Sequence, residues 1–235
     1  MAVHLNFKNE IVSEKVAIGI VCAKNLYTSS IIPAFDLALE ALLMQRKNAL
    51  NPSENAIREA SRNMLRNGTY KPTGRGKPAS EYLLRAAEND TFPRINAPVD
   101  INNFMSLKYL LPISLWDVDL AQSHDFNFRL GNTGEQYIFN TGGQEIGVQD
   151  LVVGCRIQEG VSTPIVNPIK DSLATKTTAH SSFIAAAIYT PIEGGVSNAL
   201  TDICAEFAHW LAQCGSEVKT NTAILLPQEV ASLAI

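Results

Sequence analysis

Apolar spacing changes near Asp117, and that change limits the folds open to this chain. Before it, apolar residues mostly recur three and four positions apart; beyond it they gather in short runs rich in β-branched and aromatic residues. Ile31 to Leu50 puts Ile32, Phe35, Leu39, Leu42 and Leu43 on one helical face. Asn51 followed by Pro52 reads as the start of a second helix, which Gly68 ends. Pro78 and Ser80 open a third, SEYLLRAAE, and Ile101 to Leu110 reads as a mostly buried fourth.

One strand, Val16 to Cys22, precedes these helices. Past Asp117, Phe126 to Leu130 and Gln136 to Asn140 read as a hairpin joined by GNTGE. LVVGCRI, IVNPI and FIAAAIYT are further strands. A closing helix spans Ala199 to Cys214, and Thr220 to Leu226 is a terminal strand. The expected fold is α+β: one domain over residues 1–235, with a mixed, largely antiparallel sheet packed by helices.

Composition excludes several classes. Apolar residues make up 46% of the chain and charged residues 18%, a globular balance rather than a disordered one. The longest apolar stretches, Val16 to Ala23 and Phe183 to Tyr189, are too short to cross a bilayer, and the N-terminus lacks a secretory pattern. A cytoplasmic protein is expected. Cys22, Cys155, Cys204 and Cys214 form no CxxC pair and read as buried, reduced thiols. GRGK (Gly74 to Lys77) lacks the spacing of a phosphate loop, and His124, His180 and His209 have no metal-binding companions. No cofactor and no metal are expected.

The net charge of −4 argues against a strong independent grip on nucleic acid, and no DNA partner is expected. Arg58, Arg62, Arg66, Lys71, Arg75 and Lys77 nevertheless form a local excess of base against Glu59 alone. Such a run is either a phosphate-facing patch or a solvated helix face and loop.

One polar cluster stands apart. Asn96, Asp100, Asn102 and Asn103 lie within eight residues, interleaved with Ile95, Val99, Ile101 and Phe104. Asp100 is placed to cap a helix starting at Ile101. Two adjacent amides inside a helix need a stronger reason, because Asn competes with the helical backbone.

The run Arg94-Ile95-Asn96, Val99-Asp100-Ile101-Asn102-Asn103, then Leu111-Pro112-Ile113-Ser114-Leu115-Trp116-Asp117 resembles the B3/B4 domain of the phenylalanyl-tRNA synthetase beta chain. There the run has the form V-D-x-T-N, then G-Q-P-x-H-A-F-D. Lys77 to Arg85, Arg129 to Gly143 and Lys170 to Tyr189 are similar to flanking family segments, so the resemblance runs from about Ala56 to Tyr189. It implies a mixed sheet packed by helices and a cleft that hydrolyses mischarged aminoacyl-tRNA by a positioned water. Asn103 keeps the family's Asn, Asn102 replaces its Thr, and Ser114 stands where the bacterial synthetase has His. These three are the implied catalytic group. Asn96, Asp100, Pro112 and Asp171 are the implied substrate contacts, with Asp171 the nearest acid to read a substrate hydroxyl. Arg62, Arg66, Arg75 and Lys77 would meet RNA.

Three readings follow. One is a free-standing deacylase acting on the 3′ aminoacylated end of tRNA. Another is a module that binds tRNA or an amino-acid-like ligand without chemistry. The third is a small-molecule or structural protein that keeps only the fold.

Overall fold

The computed structural model describes residues 2–235. Strands β1 (His4–Asn9) and β2 (Val16–Lys24) lead into helices α1 (Pro33–Gln45), α2 (Pro52–Asn63), α3 (Ala79–Glu88) and α4 (Ala97–Tyr109). Next come β3 (Ile113–Asp117), the one-turn α5 (Val118–Ala121), β4 (Asp125–Leu130), β5 (Gln136–Ile138), β6 (Glu145–Gly147), β7 (Val152–Gln158) and β8 (Val161–Val166). The chain closes with β9 (Phe183–Pro191), α6 (Leu200–Ala212), β10 (Lys219–Leu225) and β11 (Val230–Ala234). Among the described residues, no helix is long and apolar enough to cross a membrane.

The strands form a five-stranded sheet, β11-β1-β4-β7-β8, and a four-stranded sheet, β10-β2-β9-β3, with β5 and β6 as a separate pair. Every pairing between named strands is antiparallel except β1 with β4. The fold is therefore α+β with largely antiparallel sheets packed by helices.

The four-stranded sheet is the middle layer, because β2, β9 and β3 bury both faces. In β2, Val16, Ile18, Ile20 and Cys22 join the core between the sheets, while Ala17, Val21 and Ala23 join the core under the helices. A strand apolar at every position suits such a layer. Gly19 sits on the helix side, where an added Cβ would lie 2.7 Å from Cys204 Sγ and 2.8 Å from Leu200 Cδ1. The missing side chain lets α6 approach the sheet.

Three expectations need correcting. Phe126–Leu130 and Gln136–Asn140 are not a hairpin: β4 pairs with β1 and β7, and β5 pairs with β6. Arg129 and Glu135 bridge the intervening turn with two charge-assisted contacts of 2.7 and 2.8 Å, so the turn exists without strand pairing across it. Asp100 is not the cap of the fourth helix. That helix starts at Ala97, and Asn96 caps it by accepting from the Val99 N–H at 3.1 Å. Finally, the terminal strand is followed by a further one, β11, which pairs with β1.

Candidate functional site

Helix α4 and edge strand β3 carry the polar cluster. Asn96 fixes the start of α4, and its Nδ2 donates to Thr177 Oγ1 at 3.3 Å. Asp100 accepts from the Ile95 N–H at 2.7 Å and from Arg94 Nε at 2.8 Å, and Arg94 also pairs with Asp36 of α1. Helical spacing then puts Val99, Asn102 and Asn103 on one face. That face meets Ile113 and Leu115 of β3 and the segment Asn167–Asp171 around a hollow of about 280 Å³.

Asn102 is 7% exposed, and its Oδ1 is buried with no hydrogen-bond partner. Asn103 is half-buried and lines the same hollow. Asp171 enters from the opposite side. Its Oδ2 accepts from the Leu115 N–H at 3.1 Å, while its Oδ1 is buried and unpartnered. Burial pushes the Asp171 carboxyl up to about 6, against the opposing pull of the Leu115 N–H and the Lys176 ammonium. An unpartnered buried acceptor costs about 1–3 kcal/mol, and two of them, Asn102 Oδ1 and Asp171 Oδ1, belong to residues that line this one hollow.

Ser114 does not reach the hollow. Side chains alternate along a strand, so Ser114 shares the face of Trp116, toward the second sheet, whereas Ile113 and Leu115 face the helices. It is fully buried, and its hydroxyl donates to the Asn167 carbonyl at 2.9 Å. Pro112 is buried too; its carbonyl accepts from the Tyr189 N–H at 3.0 Å and sets the turn from α4 into β3. Asn96 and Asp100 line a neighbouring depression beside α1. Of the candidate site residues, the structure thus brings Asn102, Asn103 and Asp171 together and leaves the other four supporting or adjacent.

Sequence reasoning missed Asn167, Lys170 and Lys176. Asn167 Oδ1 accepts from the Ile169 and Lys170 N–H groups at 2.8 and 2.9 Å, and its Nδ2 donates to Tyr137 Oη at 2.6 Å. These bonds fix the turn that presents Lys170 and Asp171. Lys170 and Lys176 also line the hollow. The available signal was the position of both lysines in the flagged stretch beginning at Lys170.

The basic run between Arg58 and Lys77 is dispersed. Arg62 forms a two-point ion pair with Glu81. Arg66 borders a separate depression with Glu14 and Lys15. Lys77 is half-buried just before α3. Arg75 alone stands beside the hollow, on a groove that shares Lys170 with it. Among the described residues, no three His, Cys, Asp or Glu side chains are grouped to hold a metal ion.

A family model, the B3/4 domain, matches residues 70–208, more than half of the 235-residue chain. Every residue that lines the hollow falls inside the matched span. No curated protein matches the chain.

Proposed function

Because this chain belongs to the B3/4 domain family, we propose that its hollow receives the aminoacyl group of a mischarged tRNA and promotes hydrolysis of the ester. The observation that carries this reading is the convergence of Asn102, Asn103 and Asp171, with two buried oxygens that lack a hydrogen-bond partner. Unpartnered acceptors suit a ligand that brings donors, such as the ammonium of an aminoacyl group, a phenolic hydroxyl or a ribose hydroxyl. The apolar wall of Val99, Ile113, Leu115 and Ile169 suits its side chain.

The reaction needs no side-chain nucleophile. A water oxygen bonds to the ester carbonyl carbon, the bond from that carbon to the ribose oxygen breaks, and the proton lost by the water goes to the ribose oxygen. Products are the free amino acid and uncharged tRNA. The protein contributes position: the amides of Asn102 and Asn103 orient the ester and the water, and Asp171 accepts from the donor end of the substrate.

The test is deacylation. Purified protein incubated with tyrosyl-tRNA and other mismatched aminoacyl-tRNAs is expected to speed release of the amino acid, with Asn103→Ala lowering the rate by roughly 10²-fold. No acceleration across the panel removes the hydrolase reading. The sealed position of Ser114 favours a second reading, ligand binding without chemistry, since neither that hydroxyl nor an imidazole lines the hollow.

A further inference from the structure

Helix α1 is apolar on both faces, and only one of them is covered. Phe35, Leu39 and Leu42 are buried, and the Phe35 ring packs edge-on against Phe104 at 5.4 Å and Trp210 at 5.5 Å. At about 3.6 residues per turn, Ala34, Leu37, Ala41 and Met44 fall on the opposite side. Leu37 is 69% exposed and Met44 74%, and Ala34 and Ala41 are exposed with them. Glu40, at the margin, is the one charged residue of this strip. The exposed positions of the neighbouring helices differ: they include Glu59 on α2, Arg85 and Glu88 on α3, and Asp202 and His209 on α6. A surface helix ordinarily turns a polar face to water, and one that is apolar all round is ordinarily covered all round.

Both ends of α1 are tied down. Asp36 pairs with Arg94 at 2.7 Å, and Arg46, just past the helix, donates to the carbonyls of Leu107 at 3.2 Å and Lys108 at 2.7 Å. A face held this firmly loses little freedom when it is covered. Charge along its margin is graded: Asp36 and Glu40 stand in the N-terminal half, and Lys47 follows the C-terminal end. Glu40 forms no ion pair among the described residues. Lys47 pairs with Asp90 on the open surface, where ion pairs are exchanged at little cost. Such a series complements its own reverse. A second α1 laid antiparallel brings the Lys47 of each copy to the acidic half of the other and sets the helix dipoles in opposition, whereas a parallel one sets like charge against like.

We propose that the partner of this face is a second copy of the chain, in a two-fold dimer that packs α1 against α1, with Leu37 of each copy against Met44 of the other and Ala41 beside the axis. Two-fold symmetry lets one patch serve as both halves of the interface. The strip is about 20 Å long and about 10 Å wide, well short of the roughly 800 Å² that each partner contributes to a stable complex. That area fits a weak, reversible dimer that forms as concentration rises, not an obligate one. No residue of α1 lines the hollow, so the dimer leaves the hollow open and rests on no part of the function proposed above.

The experiment is sedimentation velocity of the full chain from about 2 µM to about 500 µM, a range that brackets the affinity of so small an interface. Wild type is expected to shift from the 25.6 kDa monomer toward twice that mass, with no larger species. Leu37→Glu/Met44→Glu alters only exposed side chains, so it is expected to melt at the wild-type temperature in dilute solution and to stay monomeric throughout. Lys47→Glu is expected to weaken the dimer at least about threefold, and Glu40→Lys added in the same chain to recover it. Ser53→Glu, on the exposed side of α2, is expected to dimerise like wild type. A wild type that stays monomeric at the highest concentration gives the face to some other partner and overturns the proposal. A Leu37→Glu/Met44→Glu variant that dimerises like wild type, assemblies that grow without closing at two copies, or a charge exchange that recovers nothing overturns it as well.

Discussion

Asp171 is kept in a setting that suits its charge poorly, and that has a measurable sign. Its carboxyl titrates near 6, above the value of about 4 for an unfolded chain. Between those values the folded state binds the proton that the unfolded state has released. Stability therefore falls as pH rises through this window and is level above it. Asp171→Asn is expected to raise unfolding free energy by about 1–3 kcal/mol at pH 8 and to change little at pH 4, read by urea denaturation at both values. The same substitution is expected to lose activity, and wild-type activity is expected to decline below about pH 6 as the acceptor is protonated. Asn102→Leu makes a matching case. It removes the open Oδ1, so stability is expected to hold or rise while ligand binding is lost.

Elements explain why some of this was readable from sequence and some was not. Asn51 with Pro52 announced α2, and the structure adds a full capping box in which Asn51 and Glu54 each accept from the other's N–H at 2.9 Å. Asn96 gave an equally good signal, with Pro98 just inside the helix, but the acidic Asp100 offered a competing start four residues on. Replacing either Asn51 or Asn96 with Ala is expected to cost about 1 kcal/mol by thermal denaturation. Only Asn96→Ala is expected to reduce activity as well, because α4 carries the amides of the hollow and α2 does not. The failed hairpin has a different cause. GNTGE is a genuine turn, but β4 pairs with strands far away in sequence, and local turn chemistry carries no record of such partners.

At the scale of the molecule, three layers place the hollow at an edge of the middle sheet. Strand β3 is the outer strand there, so its helix-facing side chains meet α4 on one side and the segment Asn167–Asp171, rather than another strand, on the other. The two-sided burial of β2 was legible in its unbroken apolar run, whereas the order β10-β2-β9-β3 was not, since it joins strands from both ends of the chain. The face taken by Ser114 follows from strand alternation with Trp116, yet only once β3 is known to be a strand. Layer contact also makes Gly19 sensitive: Gly19→Ala is expected to cost about 1–3 kcal/mol by chemical denaturation, because Cys204 and Leu200 occupy the space. The central claim is that amides from α4 and the carboxylate at Asp171 close on one ligand from opposite sides. Isothermal titration with a non-hydrolysable aminoacyl-adenosine analogue tests it most directly. Saturable binding that weakens at least about tenfold in both Asn102→Leu and Asp171→Asn is the predicted result. Binding as tight in the two variants as in wild type, or no binding at all, contradicts it.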